Sequence, residues 1–164
     1  MTNQYPGLAR GPIDHEASSV INVVANGAIS MGDAVDLVTP PTSELLPRVQ
    51  TSDAIQGDVT YGVAVGGDTD GIYGDGTAAT DDSTSATNGA GLGVVVVTQG
   101  RCLARVDGST GGAILIGSKL TQSATAGVLE LAATGDEVLA VALQPSTGVA
   151  DIIAVDIQRG GIAA

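Results

Sequence analysis

Apolar and polar positions alternate in short runs along most of the chain, and glycine interrupts nearly every run. Residues 19–25 (SVINVVA) predict the first strand, and Asn26-Gly27 marks a turn because both residues tolerate positive φ. Residues 34–39 alternate as a half-buried strand does, and Pro40-Pro41 ends them. Residues 46–50 predict a short edge strand, since Pro47 cannot donate to a ladder. Residues 59–65 predict another, with Gly62 at a bulge. The runs at 94–99 and 101–106 flank Gly100, which predicts a tight turn or bulge between two strands. Runs at 113–116, 119–122, 128–132, 138–143 and 152–157 complete the set. No helical apolar period is sustained; the most is a short turn at 51–55. Many short strands with regular turn signals predict an all-β fold, a small β-barrel or sandwich.

Two stretches break this texture. Residues 1–18 are polar, carry Pro6, Gly7, Gly11 and Pro12, and predict an extended N-terminal arm. Residues 66–93 are dominated by Gly, Ser, Thr, Ala and Asp, and predict a long acidic surface loop inserted in the barrel-like domain of residues 19–157. Residues 158–164 form a short C-terminal tail. Within the domain the frame G-A-I-x-x-G-x-x-[VL] occurs at 27–35 and again at 112–120. Each copy precedes a Gly-Asp turn and a Val/Ala strand, first at Gly57-Asp58 and then at Gly135-Asp136. A duplication accounts for the echo, and so does the small menu of β-turn sequences.

Composition narrows the partners. The 164 residues carry 6 Lys plus Arg against 18 Asp plus Glu, a formal net charge of −12. Phosphate binding needs clustered basic residues, so this balance argues against nucleic acid and against anionic membrane surfaces. Mean hydropathy is positive at +0.30, yet no apolar run approaches the ~20 residues of a spanning helix. The N-terminus has neither a basic start nor an apolar stretch, so it does not read as a secretory signal, and synthesis in the cytoplasm is expected. Phe and Trp are absent and Tyr occurs three times, so small aliphatic side chains must fill the core. Lys119 is the sole lysine, and Asp dominates the acids. This is the pattern of a protein kept soluble at high salt, or of a mesophilic protein with an acidic outer face.

Catalytic chemistry has little to work with. The one histidine, His15, lies in the arm, and the one cysteine, Cys102, lies in a predicted strand, where it reads as a small core residue. A single cysteine forms no internal disulfide, and no nucleophile elbow, phosphate loop or zinc spacing is present. The glycine-rich stretch at 89–93 leads into a strand instead of a helix, unlike a dinucleotide loop. No cofactor is expected. The best site-like feature is Asp68, Asp70 and Asp75 on a glycine-bent loop, whose D-x-D-G start resembles a calcium loop. Its twelfth position is Ala79, where such a loop carries a bidentate glutamate, so a solvated acidic loop is the competing reading.

The order of these elements is where the sequence resembles a known family. N-G-A-I-x-x-G-D-A-V at 26–35, Y-G-V-A-V at 61–65, four valines at 94–97 before V-D-G at 106–108, G-A-I-x-x-G-x-x-L at 112–120 and V-L-A-V-A-L at 138–143 follow one another. The series resembles the capsid decoration, or cement, proteins of tailed bacteriophages and related archaeal viruses. Ser118 departs from that pattern, standing where the family usually has Asp, and the 66–93 insert is longer than the pattern needs. The resemblance implies a non-enzymatic virion protein. It would sit as a homotrimer on the outside of an icosahedral head, lock the major capsid protein lattice, and reach the shell with an arm such as 1–18. With the composition, it implies a halophilic archaeal host. A turret, fibre or other surface-recognition module is the competing function, motivated by the 66–93 loop. A hydrolase or a cation-dependent enzyme built on the acidic loop is a third.

Overall fold

The computed structural model describes residues 19–38, 47–53, 55, 60–67, 93–158 and 160–163. The arm at 1–18 and most of the 66–93 loop lie outside them. The chain is all-β, and no helix occurs among the described residues. Nine strands are described: β1 (Ser19–Ala25), β2 (Ala34–Val38), β3 (Arg48–Thr51), β4 (Gly62–Gly67), β5 (Gly93–Asp107), β6 (Lys119–Gln122), β7 (Leu129–Leu131), β8 (Ala140–Ala142) and β9 (Asp151–Ile157).

Two closed rings share β5. The order β1-β3-β2-β4-β5 closes through an antiparallel β5–β1 pair, and β5-β7-β6-β8-β9 closes through an antiparallel β9–β5 pair. The 15 residues of β5 serve the first barrel with their front half and the second with their back half. The rings also follow the same path. In each, the first strand pairs in parallel with the third, at Ala25↔Val49 and at Val106↔Leu129. In each, the second strand pairs antiparallel with the fourth, Ala34↔Val63 beside Val35↔Gly62 in one, Lys119↔Val141 beside Leu120↔Ala140 in the other. So β1 corresponds to the back of β5, β2 to β6, β3 to β7, β4 to β8, and the front of β5 to β9. The repeated G-A-I-x-x-G frame is the link from the first to the second strand of each barrel. Matching topology and register around a whole ring go beyond what a shared turn sequence dictates, and identify the echo as a structural duplication.

Several expectations need correction. Gly100 does not separate two strands: it takes a φ of 96° inside a continuous β5. The ladder slips nearby by one residue, with Ser19 opposite Gln99 and Val20 opposite Val97, so the bulge expectation holds there and the turn does not. The β4 bulge falls at Val65, between Ala64 and Gly66, and not at Gly62. Gly62 instead lets two strands approach, since a Cβ there would sit 2.5 Å from the Val97 carbonyl oxygen. Residues 113–116 are not a strand; only Ile114 forms a bridge, to Ser146.

Thin aliphatic side chains fill both barrels. Val23, Ile29, Val35, Val49, Ala64 and Val96 line the first. Their counterparts in the second are Ala104, Ile114, Leu120, Leu129, Ala142 and Val155. Ala34, Val63, Val65 and Val97 belong to first-barrel strands but pack with this second cluster, which therefore spans the junction, while the first cluster stays within its own barrel. Every described strand has a partner on both sides, which leaves none of them a free edge.

Candidate functional site

The two linking turns are built alike. Ile29 and Ile114 are fully buried plugs, and Gly32 and Gly117 follow at φ of 88° and 87°, a region that disfavours side chains. The Gly32 N–H donates to the Ala64 carbonyl (2.7 Å), and the Gly117 N–H to the Ala142 carbonyl (2.8 Å). Asp33 Oδ2 accepts from the Ser30 N–H at 2.8 Å, and Ser118 Oγ accepts from the Leu115 N–H at 3.0 Å. The hydroxyl at Ser118 therefore closes the turn as the carboxylate does.

Only the first turn is covered, because it is seated in the second barrel. The Arg105 N–H donates to the Gly32 carbonyl (2.8 Å), and the Ala34 N–H donates to the Gly127 carbonyl (2.9 Å). Arg105 Nη1 lies 3.2 Å from Asp33 Oδ1. Burial raises the Asp33 pKa, against the Ser30 N–H and the Arg105 charge, which pull it down. The Gly127 N–H donates to Ser52 Oγ (3.1 Å), and Gln122 Nε2 donates to the Asp53 carbonyl and to Asp53 Oδ1 (2.9 Å). There is no room for a side chain at Gly127, where a Cβ would come within 2.7 Å of Thr51 Cγ2.

The matching end of the second barrel faces outward. Leu115 is 64% exposed and Ile116 71%. The Ile114–Ser146 bridge sets this turn beside the loop that precedes β9, where Val149 is also exposed. That loop is held by Asp151 Oδ2, which accepts from Ser146 Oγ (2.7 Å) and from the Gly148 N–H (3.1 Å). On the other side, Asp107 Oδ1 accepts from the Ser109 hydroxyl (2.6 Å) and the N–H groups of Ser109 (2.8 Å) and Thr110 (3.1 Å). The Ser109 bonds first, then those of Thr110, hold the Asp107 pKa down at about 2.

Asp68, Asp70 and Asp75 lie outside the described residues, as does His15. Cys102 is buried in the core, and desolvation, followed by the charge of Asp156, pushes its thiol up to about 12. Among the described residues no group of three or more His, Cys, Asp and Glu side chains is placed to hold a metal, and no helix is long and apolar enough to cross a membrane. Sequence reasoning missed the junction formed by Arg105, Gly32 and Gly127 and the exposed Leu115-Ile116 pair. The repeated frame was the available signal, since it aligns Ser30-Met31 with Leu115-Ile116.

The fold defined by this arrangement is a fused pair of five-stranded barrels. It is similar to the N base of the head fiber gp8.5 of bacteriophage phi29, with a TM-score of 0.55 over 90% of this chain and 99% of that one. Sequence identity across this match is 13%. No protein-family model and no curated protein matches the sequence.

Proposed function

We propose that the chain is a structural protein of a virion head, which binds the outside of an icosahedral capsid as a homotrimer and stabilises the major capsid protein lattice. The observation that carries this reading is the two-barrel fold shared along almost the whole length of a phage head fiber base. The order of glycine turns and apolar strands supports it independently, through the resemblance to decoration proteins. Closed barrels suit the task physically. With every described strand paired on both sides, the protein meets its lattice through turns and faces, and weak contacts repeated over a symmetric shell sum to a strong hold.

The same likeness favours a second reading, in which the chain is the base of a surface fibre. One experiment separates them. Purified protein is mixed with expanded capsids of the virus that encodes it, and the particles are imaged and sedimented. Occupancy across the lattice with a raised capsid melting temperature supports decoration; sparse projections without stabilisation support a fibre base. A strict monomer with no capsid affinity overturns both.

A further inference from the structure

We propose that the Leu115-Ile116 turn is the surface through which one copy of this chain docks on another. The inference rests on the homotrimer proposed above and names its interface. The duplication supplies the argument, because it shows the same turn with and without a cover. In the first barrel Met31 is 9% exposed, the Gly32 carbonyl is taken by Arg105, and the row Ala34–Val63–Val97 is fully buried. In the second barrel the corresponding row is Lys119–Val141–Asp156, with Lys119 exposed and the other two half-buried.

Positions that lose their cover normally turn polar, and both ends of this row do so: Lys119 stands where the first barrel has Ala34, and Asp156 where it has Val97, with Val141 between them in place of Val63. The turn goes the other way. Where the covered barrel has Ser30 and Met31, the uncovered one has Leu115 and Ile116, two large aliphatic side chains more than 60% exposed. Side chains of this kind gain from leaving water, so their presence points to a cover.

A second copy is the occupant the molecule itself indicates. What covers this turn in the first half of the chain is another barrel of the same kind. The rim carries both signs, Lys119 and Asp156 flanking Val141, so around a three-fold axis the Lys119 side of one copy meets the Asp156 side of the next. A uniformly acidic or basic partner finds no such match. Docking there works by side-chain burial, not by repeating the internal junction. The opening between β5 and β7 is already filled by the chain's own first turn, and its first-barrel counterpart is closed by the Val24 N–H bond to the Pro47 carbonyl (3.0 Å).

Sedimentation velocity of the wild type and of a Leu115→Ser/Ile116→Thr variant tests this. The expected result is a concentration-dependent trimer for the wild type. In the variant the dissociation constant rises by about tenfold or more, with the unfolding midpoint unchanged at protein concentrations where both are monomeric. A variant as fully trimeric as the wild type overturns the interface and leaves the homotrimer standing. A wild type monomeric throughout overturns the homotrimer and the interface with it. A nitroxide on Ile116→Cys gives a second readout that does not depend on loss of assembly. It is expected to be immobilised as protein concentration rises, and a label equally mobile in the trimer overturns the proposal.

Discussion

Asp33 and Ser118 hold the same place in two copies of one turn, and each accepts the N–H three residues earlier, at 2.8 and 3.0 Å. The carboxylate has a second oxygen to use, and it spends it on Arg105 at 3.2 Å, across the junction of the two barrels. The aspartate is thus both a local cap and an inter-barrel contact, whereas the serine is only a cap.

Substitutions separate the two roles. Asp33→Ser keeps the cap and loses the ion pair, at a cost of about 1 kcal/mol; Asp33→Ala loses both and costs about 2 kcal/mol. Arg105→Met leaves a buried carboxylate without its cation and is expected to cost more than Asp33→Ser. Its pH dependence has a definite sign. The Asp33 pKa is already raised in the folded state, and losing Arg105 raises it further. The deficit of the variant is therefore largest at neutral pH and shrinks as pH falls through that folded pKa. Urea unfolding of the three variants at neutral and mildly acidic pH checks both statements.

Asp107 behaves in the opposite way. Its folded pKa lies near 2, below the ordinary carboxylate value of 3.8. Its contribution is present above the unfolded value and is lost as pH falls from about 4 toward 2. An Asp107→Asn variant should show a flatter stability profile across that window than the wild type, and chemical denaturation at stepped pH measures it.

The Cys102 thiol, pushed up to about 12 and buried, has almost no thiolate at neutral pH. Native protein should not react with a thiol-specific reagent on the timescale of minutes, while protein in denaturant should react with one equivalent. Rapid native modification counts against the placement of Cys102 in the core.

Gly62 and Ala140 are counterparts in the two barrels, but only one has room for a methyl group. A Cβ at Gly62 would sit 2.5 Å from the Val97 carbonyl oxygen and 2.7 Å from Val96 Cγ1. Gly62→Ala should therefore destabilise by roughly 1–3 kcal/mol, as overpacking does. A shift in the urea midpoint reports it.

Much of the fold is legible in the residues. The bounds of β1 and β6 coincide with the runs at 19–25 and 119–122, where alternation and turn residues agree. The frame shared by 27–35 and 112–120 carries the duplication. Gly100 misleads because glycine also serves inside a strand where the ladder slips. Residues 113–116 mislead because an apolar run reads as buried strand, although only Ile114 is buried. The junction was not legible, since its main contacts run through the carbonyls of Gly32 and Gly127, and a backbone carbonyl has no sequence signature. The acids at 68, 70 and 75 lie outside the described residues, and nothing in the fold bears on them.

The shared β5 has a mechanical meaning. Fifteen residues of strand extend roughly 50 Å, and this one segment is hydrogen-bonded into both barrels. A load placed on either barrel passes to the other along covalent backbone, so the junction transmits tension without acting as a hinge. Two barrels joined by a linker would yield at the linker. Here, parting the halves requires stripping strands from β5 itself, so the pair behaves as a strut and not a string.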